Sequence, residues 1–260
     1  MLFVERFTLL FVDLHMKENA TFKRIPGGIF GILGPSFVFL GSFISSFGIR
    51  NYSMLNYFVS ELGNDTNPFA MIFNVCLTIG ALCNFLSVTN LEGFTPTGYN
   101  WIGVRIAMFS SICVALVGIF PMTNIVPHLV FALSFFITGF FAMAFITMGI
   151  WRDKSNSISK WFSIPSLIVI VSFALFLFYP SETFTEAHAG DMSVFAMSAE
   201  FRPAFRSVTF FEWMILLTLN GWIFFIGIYK VRTNRKKELN SHIINKTIEN
   251  QSISTITNEN

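Results

Sequence analysis

Charge is scarce in this 260-residue chain: Asp, Glu, Lys and Arg make up 12% of it, against roughly 25% in ordinary soluble domains. With 53% hydrophobic residues and a mean hydropathy of +0.61, that scarcity excludes a soluble globular core. Cysteine is nearly absent as well. Cys76, Cys83 and Cys113 all lie in apolar stretches, so no disulfide framework is implied and the redox compartment is not readable. No Lys or Asp interrupts the apolar blocks, which removes a Schiff-base lysine and the mid-depth carboxylates of many proton-driven pumps. No nucleophile motif and no sign of retinal, haem or quinone binding is found, so no cofactor is expected.

What the chain does have is six apolar blocks, at about 28–47, 69–89, 105–120, 126–150, 161–179 and 209–229. About 20 apolar residues make a helix that crosses the hydrocarbon layer. No water is available there to satisfy a free N–H or C=O, so a long unbroken run spans as a helix. The expected fold class is all-α, a polytopic bundle of six transmembrane helices over 26–230. The bilayer itself is the first expected partner.

Lys and Arg mark the cytoplasmic side of such a protein. Arg6, Lys17, Lys23 and Arg24 precede the first helix, Arg105 opens the third, Arg152, Lys154 and Lys160 follow the fourth, and Lys230 to Lys246 follow the sixth. The opposite side carries only Arg50, Arg202 and Arg206, against Glu61, Asp65, Glu182, Glu186, Asp191, Glu200 and Glu212. Both termini are therefore expected in the cytoplasm and an acidic rim outside, in the cell membrane. The net charge of +2 averages two opposite faces and does not point to nucleic acid.

Residues 1–25 read as a cytoplasmic segment that lies at the interface, or as an extension upstream of a true start at Met16. Residues 231–260, rich in Asn, Ser, Thr and Ile, read as a mobile cytoplasmic tail. Close helix packing is expected at Gly27, Gly31 and Gly34 in the first helix. A stripe of small residues, Cys76, Gly80, Cys83 and Ser87, shares one face of the second. Two cysteines seven apart with no neighbouring His or carboxylate do not make a metal site.

Polar interest gathers between the helices on the acidic side. After the first helix, Ser60-Glu-Leu-Gly63 reads as a short helix stopped at the glycine, and Asn67-Pro68 opens the next. A tiny third connection, Phe120 to His128, holds helices three and four antiparallel and puts His128 at their mouth. These residues carry a likeness. The Tyr52 to Pro68 segment, the small-residue helix behind it, and the Gly118-x-Phe-Pro to His128 element resemble the integral-membrane family catalogued as domain of unknown function 998. The resemblance implies a six-helix membrane protein of no established activity.

Function is then weighed among three classes. The leading expectation is a non-catalytic binding or scaffold protein, its outer rim built from Ser60, Asp65, Arg202 and Arg206, with a lipid headgroup or small ligand as candidate partner. A membrane enzyme is the alternative, with Glu61, His128 and Glu212 converging for metal-assisted or acid–base hydrolysis of a lipid or small ester. A small-solute transporter is the second alternative, weakened by the lack of an internal repeat.

Overall fold

The computed structural model describes residues 27–89, 91, 98–154, 158–179 and 203–258, with side chains described as far as Lys236 and at Leu239. Every regular element among these is helical. The order is α1 (Gly27–Ser46), a 3-10 turn (Ser60–Gly63), α2 (Ala70–Thr89), α3 (Gly98–Ile119), α4 (Ile125–Arg152), a second 3-10 turn (Lys160–Phe162), α5 (Ser163–Phe178) and α6 (Ser207–Asn258). Six of these segments are long and apolar enough to cross a membrane, counting the second turn together with α5. The protein is an integral, multi-pass membrane protein.

Three boundaries differ from the apolar blocks. α3 starts at Gly98 rather than near 105, α4 continues to Arg152, and α6 runs on to Asn258 instead of stopping near 229. Hydropathy marks only the part of a helix that sits in hydrocarbon, whereas the helix ends where the backbone is stopped. No Pro or Gly follows Gly227, and Lys, Arg and Glu are good helix formers, so nothing local stops α6.

Each helix packs along the next one in sequence, and α6 returns to pack on α1. The bundle is a closed ring. Two pairs of glycines bring helix backbones against each other. A Cβ on Gly28 would lie 2.7 Å from the Gly227 carbonyl oxygen, and one on Gly227 would lie 2.8 Å from that of Gly28. Between α1 and α2, Gly34 and Gly80 repeat the arrangement, each placing a Cβ 2.9 Å from the other's carbonyl oxygen. Backbones that approach this closely gain dispersion contacts, which lipid tails cannot supply to a helix with larger side chains.

Along the same seam, Gly31 faces Ser87 and Gly227, and Gly41 faces Cys76. Gly27 is buried, while Cys76 and Cys83 are half-buried. Across the ring, Phe136 lies on Phe176 with ring centroids 3.9 Å apart, and Phe135 meets Phe173 edge-on. Phe43, Met71, Phe109, Phe141, Val171 and Phe225 point outward and are exposed. Such a belt is stable only against hydrocarbon.

Candidate functional site

At one end of the ring the chain between α1 and α2 folds back into the bundle instead of crossing its rim. Asn51 turns it, with φ of 57°, a left-handed conformation that asparagine tolerates better than most residues. Tyr57, Phe58, Val59 and Leu62 are buried. A segment buried this way must have its backbone polar groups satisfied by the protein.

Two carboxylates do that. Glu61 Oε2 accepts the Phe58 N–H at 2.7 Å, and Glu212 Oε2 on α6 accepts the next one, Val59 N–H, at 2.8 Å. The Ser60 N–H stands beside the same Glu212 carboxylate, and the charges of Glu61 and Arg206 act on it. Other residues on and just before α6 hold the segment by its carbonyls: Thr209 Oγ1 donates to Leu55, Arg206 N–H to Leu55, and Trp213 Nε1 to Tyr57. Asn67 closes the far side, donating to the Ser45 and Leu62 carbonyls and accepting from the Phe69 N–H ahead of α2. Asn74 donates to the Gly63 carbonyl at 3.0 Å. The segment is a seated plug.

His128 sits at the start of α4 with 3% of its surface exposed. Its Nδ1 lies 2.9 Å from the Phe120 carbonyl oxygen. A carbonyl only accepts, so Nδ1 carries the proton, and in the neutral ring Nε2 keeps a lone pair. Arg206 is buried, with its guanidinium 4.8 Å above the Phe58 ring. Tyr52 packs against Tyr57 and Trp213. Burial pushes its phenol well above the usual range, and the charges of Glu212 and Glu61 push it further.

Beneath the plug, a cavity of about 140 Å³ runs down the middle of the ring. Val59, Ser60, His128 and Glu212 line its upper end, and Asn84 and Asn220 lie further down among Leu77, Phe135, Ala142, Met143, Ile146, Leu216 and Trp222. Apolar atoms dominate the wall. The asparagines are joined to each other, Asn84 Nδ2 to Asn220 Oδ1 at 3.4 Å, and Asn220 donates on to the Leu216 carbonyl. Asn84 Oδ1 is turned to the space where Gly34 has no side chain. An apolar cavity of about 150 Å³ stays dry and accepts an aromatic molecule.

The sequence-derived candidates are thus distributed unevenly. Glu61 and Glu212 grip adjacent N–H groups; Ser60, His128 and Glu212 share the cavity; Glu61 is 8% exposed and is not part of its wall. Asp65 is exposed, away from the cavity wall. Arg202 and the other polar residues of 180–202 lie outside the described residues. Among the described residues no three His, Cys, Asp or Glu side chains come together as a metal site.

Reading the sequence missed the cavity, the anchoring by Trp213 and Thr209, and Lys230. Lys230, counted with the basic residues that follow the sixth helix, is 1% exposed, beside Gly28. Its place just past an apolar run gave no signal of burial.

Compared with known proteins, residues 32–229 match a family described as "Protein of unknown function (DUF998)". No curated protein and no solved structure matches the chain.

Proposed function

We propose, for a chain that belongs to the DUF998 family of proteins of unknown function, that it is a non-catalytic binding protein which takes a small apolar or amphiphilic molecule into its ring. The observation that carries this reading is the axial cavity, whose long apolar wall has its ionisable groups at one end only. Concave, mostly apolar spaces with a few convergent polar groups are the usual form of a small-molecule site. The carboxylates support binding rather than turnover, because each already accepts a backbone N–H that seats the plug. The distribution of Lys and Arg supports a location in the cell membrane with the Glu61 end outside.

Native mass spectrometry of the protein released from lipid nanodiscs tests the reading. A bound mass is expected on the wild type and absent from Ala142→Phe, which fills the cavity from a buried wall position. A bare protein in both cases would remove the proposal.

A second reading, acid–base hydrolysis of a lipid or small ester, draws on Ser60, His128 and Glu212 sharing one cavity. It requires a turnover that His128→Ala abolishes while Ser60 and Glu212 variants keep the fold.

A further inference from the structure

We infer that the ligand of the axial cavity is a single-chain amphiphile whose head donates hydrogen bonds, a hydroxyl or an ammonium group, held at the Ser60–His128–Glu212 end, with its chain directed towards Trp222. The inference rests on the binding reading above and narrows it to one chemistry.

The head is assigned by what the upper end offers. His128 is almost wholly buried, and among the described residues its ring makes one hydrogen bond, through Nδ1 to Phe120. Nε2 is left as an acceptor. Glu212 presents carboxylate oxygens, and Glu61 sits close enough to act on it electrostatically. Ser60 Oγ already directs its proton at the Met122 sulfur, 3.7 Å away, which leaves its lone pairs to the cavity side. Among the described residues the end is rich in acceptors, and Arg206 is a cation that acts on Glu212.

A carboxylate or phosphate head would bring further acceptors to an end already rich in them, at the cost of its own hydration. An alcohol or an alkylammonium would instead supply the donor that His128 Nε2 lacks among the described residues.

The tail is assigned by shape. Wall residues on α4 extend from His128 to Ile146, a rise of roughly 27 Å at 1.5 Å per residue. On α6 they extend from Glu212 to Ile223. The two asparagines met on the way down bond to each other and Asn220 to the Leu216 carbonyl, while Asn84 Oδ1, turned towards Gly34, has no hydrogen-bond partner among the described residues. A slot whose lining runs this far, with its ionisable groups at one end, matches one chain rather than a two-chain lipid.

Photolabelling in nanodiscs decides the matter, using decanol, decylamine and decanoate, each with a diazirine in mid-chain, followed by peptide mapping. Labelling of cavity-wall residues such as Leu77, Phe135 or Leu216 by the alcohol or the amine is expected to exceed that by decanoate about tenfold. Loss of that labelling in Ala142→Phe completes the expected result. Preference for the amine would identify a cationic head and equal labelling a neutral one, both within the inference. Glu212→Gln, which puts an N–H donor in place of a carboxyl oxygen, is expected to raise decanoate labelling relative to decanol. Decanoate labelling the wild-type wall as strongly as decanol would overturn the head assignment and leave the binding reading standing. If none of the three labels the wall, or if Ala142→Phe changes nothing, the binding reading falls as well.

Discussion

Glu212 and Val59 are 153 positions apart in sequence, yet the carboxylate of one accepts the backbone N–H of the other at 2.8 Å. This bond fastens the plug between α1 and α2 to the start of α6, and it places an ionisable side chain where plug and cavity meet.

Removing that acceptor leaves a buried donor without its partner, which costs about 1–3 kcal/mol. Glu212→Ala is expected to lower the thermal midpoint in detergent, and Glu212→Gln, which still accepts from Val59, to lower it less. Equal midpoints for all three proteins would mean that the bond contributes nothing to seating the plug.

Asn67 ties the ends of α1, the Ser60–Gly63 turn and α2 together through its two donor bonds and one acceptor bond. Asn67→Asp keeps the acceptor for Phe69 but turns the two donors into an oxygen facing the Ser45 and Leu62 carbonyls. It is expected to destabilise at least as much as Asn67→Ala, by about 1–3 kcal/mol. Chemical denaturation of the reconstituted protein measures this, and an Asp variant as stable as wild type would contradict it.

Two glycines on α6 should respond in opposite ways to the same change. Gly227→Ala puts a methyl group against the Gly28 carbonyl at 2.8 Å, whereas a Cβ at Gly221 meets nothing within 4 Å. Gly221→Ala is expected to be neutral or to stabilise by up to about 1 kcal/mol through helix propensity. Gly227→Ala should open the α1–α6 seam and lower the midpoint. The comparison holds the helix and the substitution constant, so the difference reads the seam alone.

The side of the membrane can be checked at two exposed positions, one at each end of the ring. Asp65→Cys is expected to react with an impermeant maleimide in intact cells, and Lys154→Cys only after lysis. The reverse pattern would invert the orientation drawn from Lys and Arg.

Much of the site depended on contacts that no local pattern announces. Ser60-Glu-Leu-Gly63 forms a short turn, as its glycine and spacing imply, but nothing in that segment says that its carboxylate will bond back to Phe58 or that Trp213 will bind Tyr57. Glu61, His128 and Glu212 were all visible as polar residues at helix ends. Only packing divided them, two gripping adjacent N–H groups and two lining a cavity. Burial of Lys230 was not legible for a related reason: hydropathy records where an apolar run ends, and carries no information on which neighbour covers the next residue.

The amino-acid sequence alone determined that this chain crosses a membrane with six helices, because twenty-residue apolar runs leave their backbone no other way to satisfy its polar groups. It also marked Gly34 and Gly80 as places where backbones can approach, whereas the meeting of Gly28 with Gly227 appears only once α6 lies on α1. Closure of the ring by α6 on α1, the inward fold of the plug and the axial cavity belong to the tertiary structure. Each depends on side chains far apart in sequence meeting in one place, and pairings of that kind are selected by the packing energy of the whole bundle.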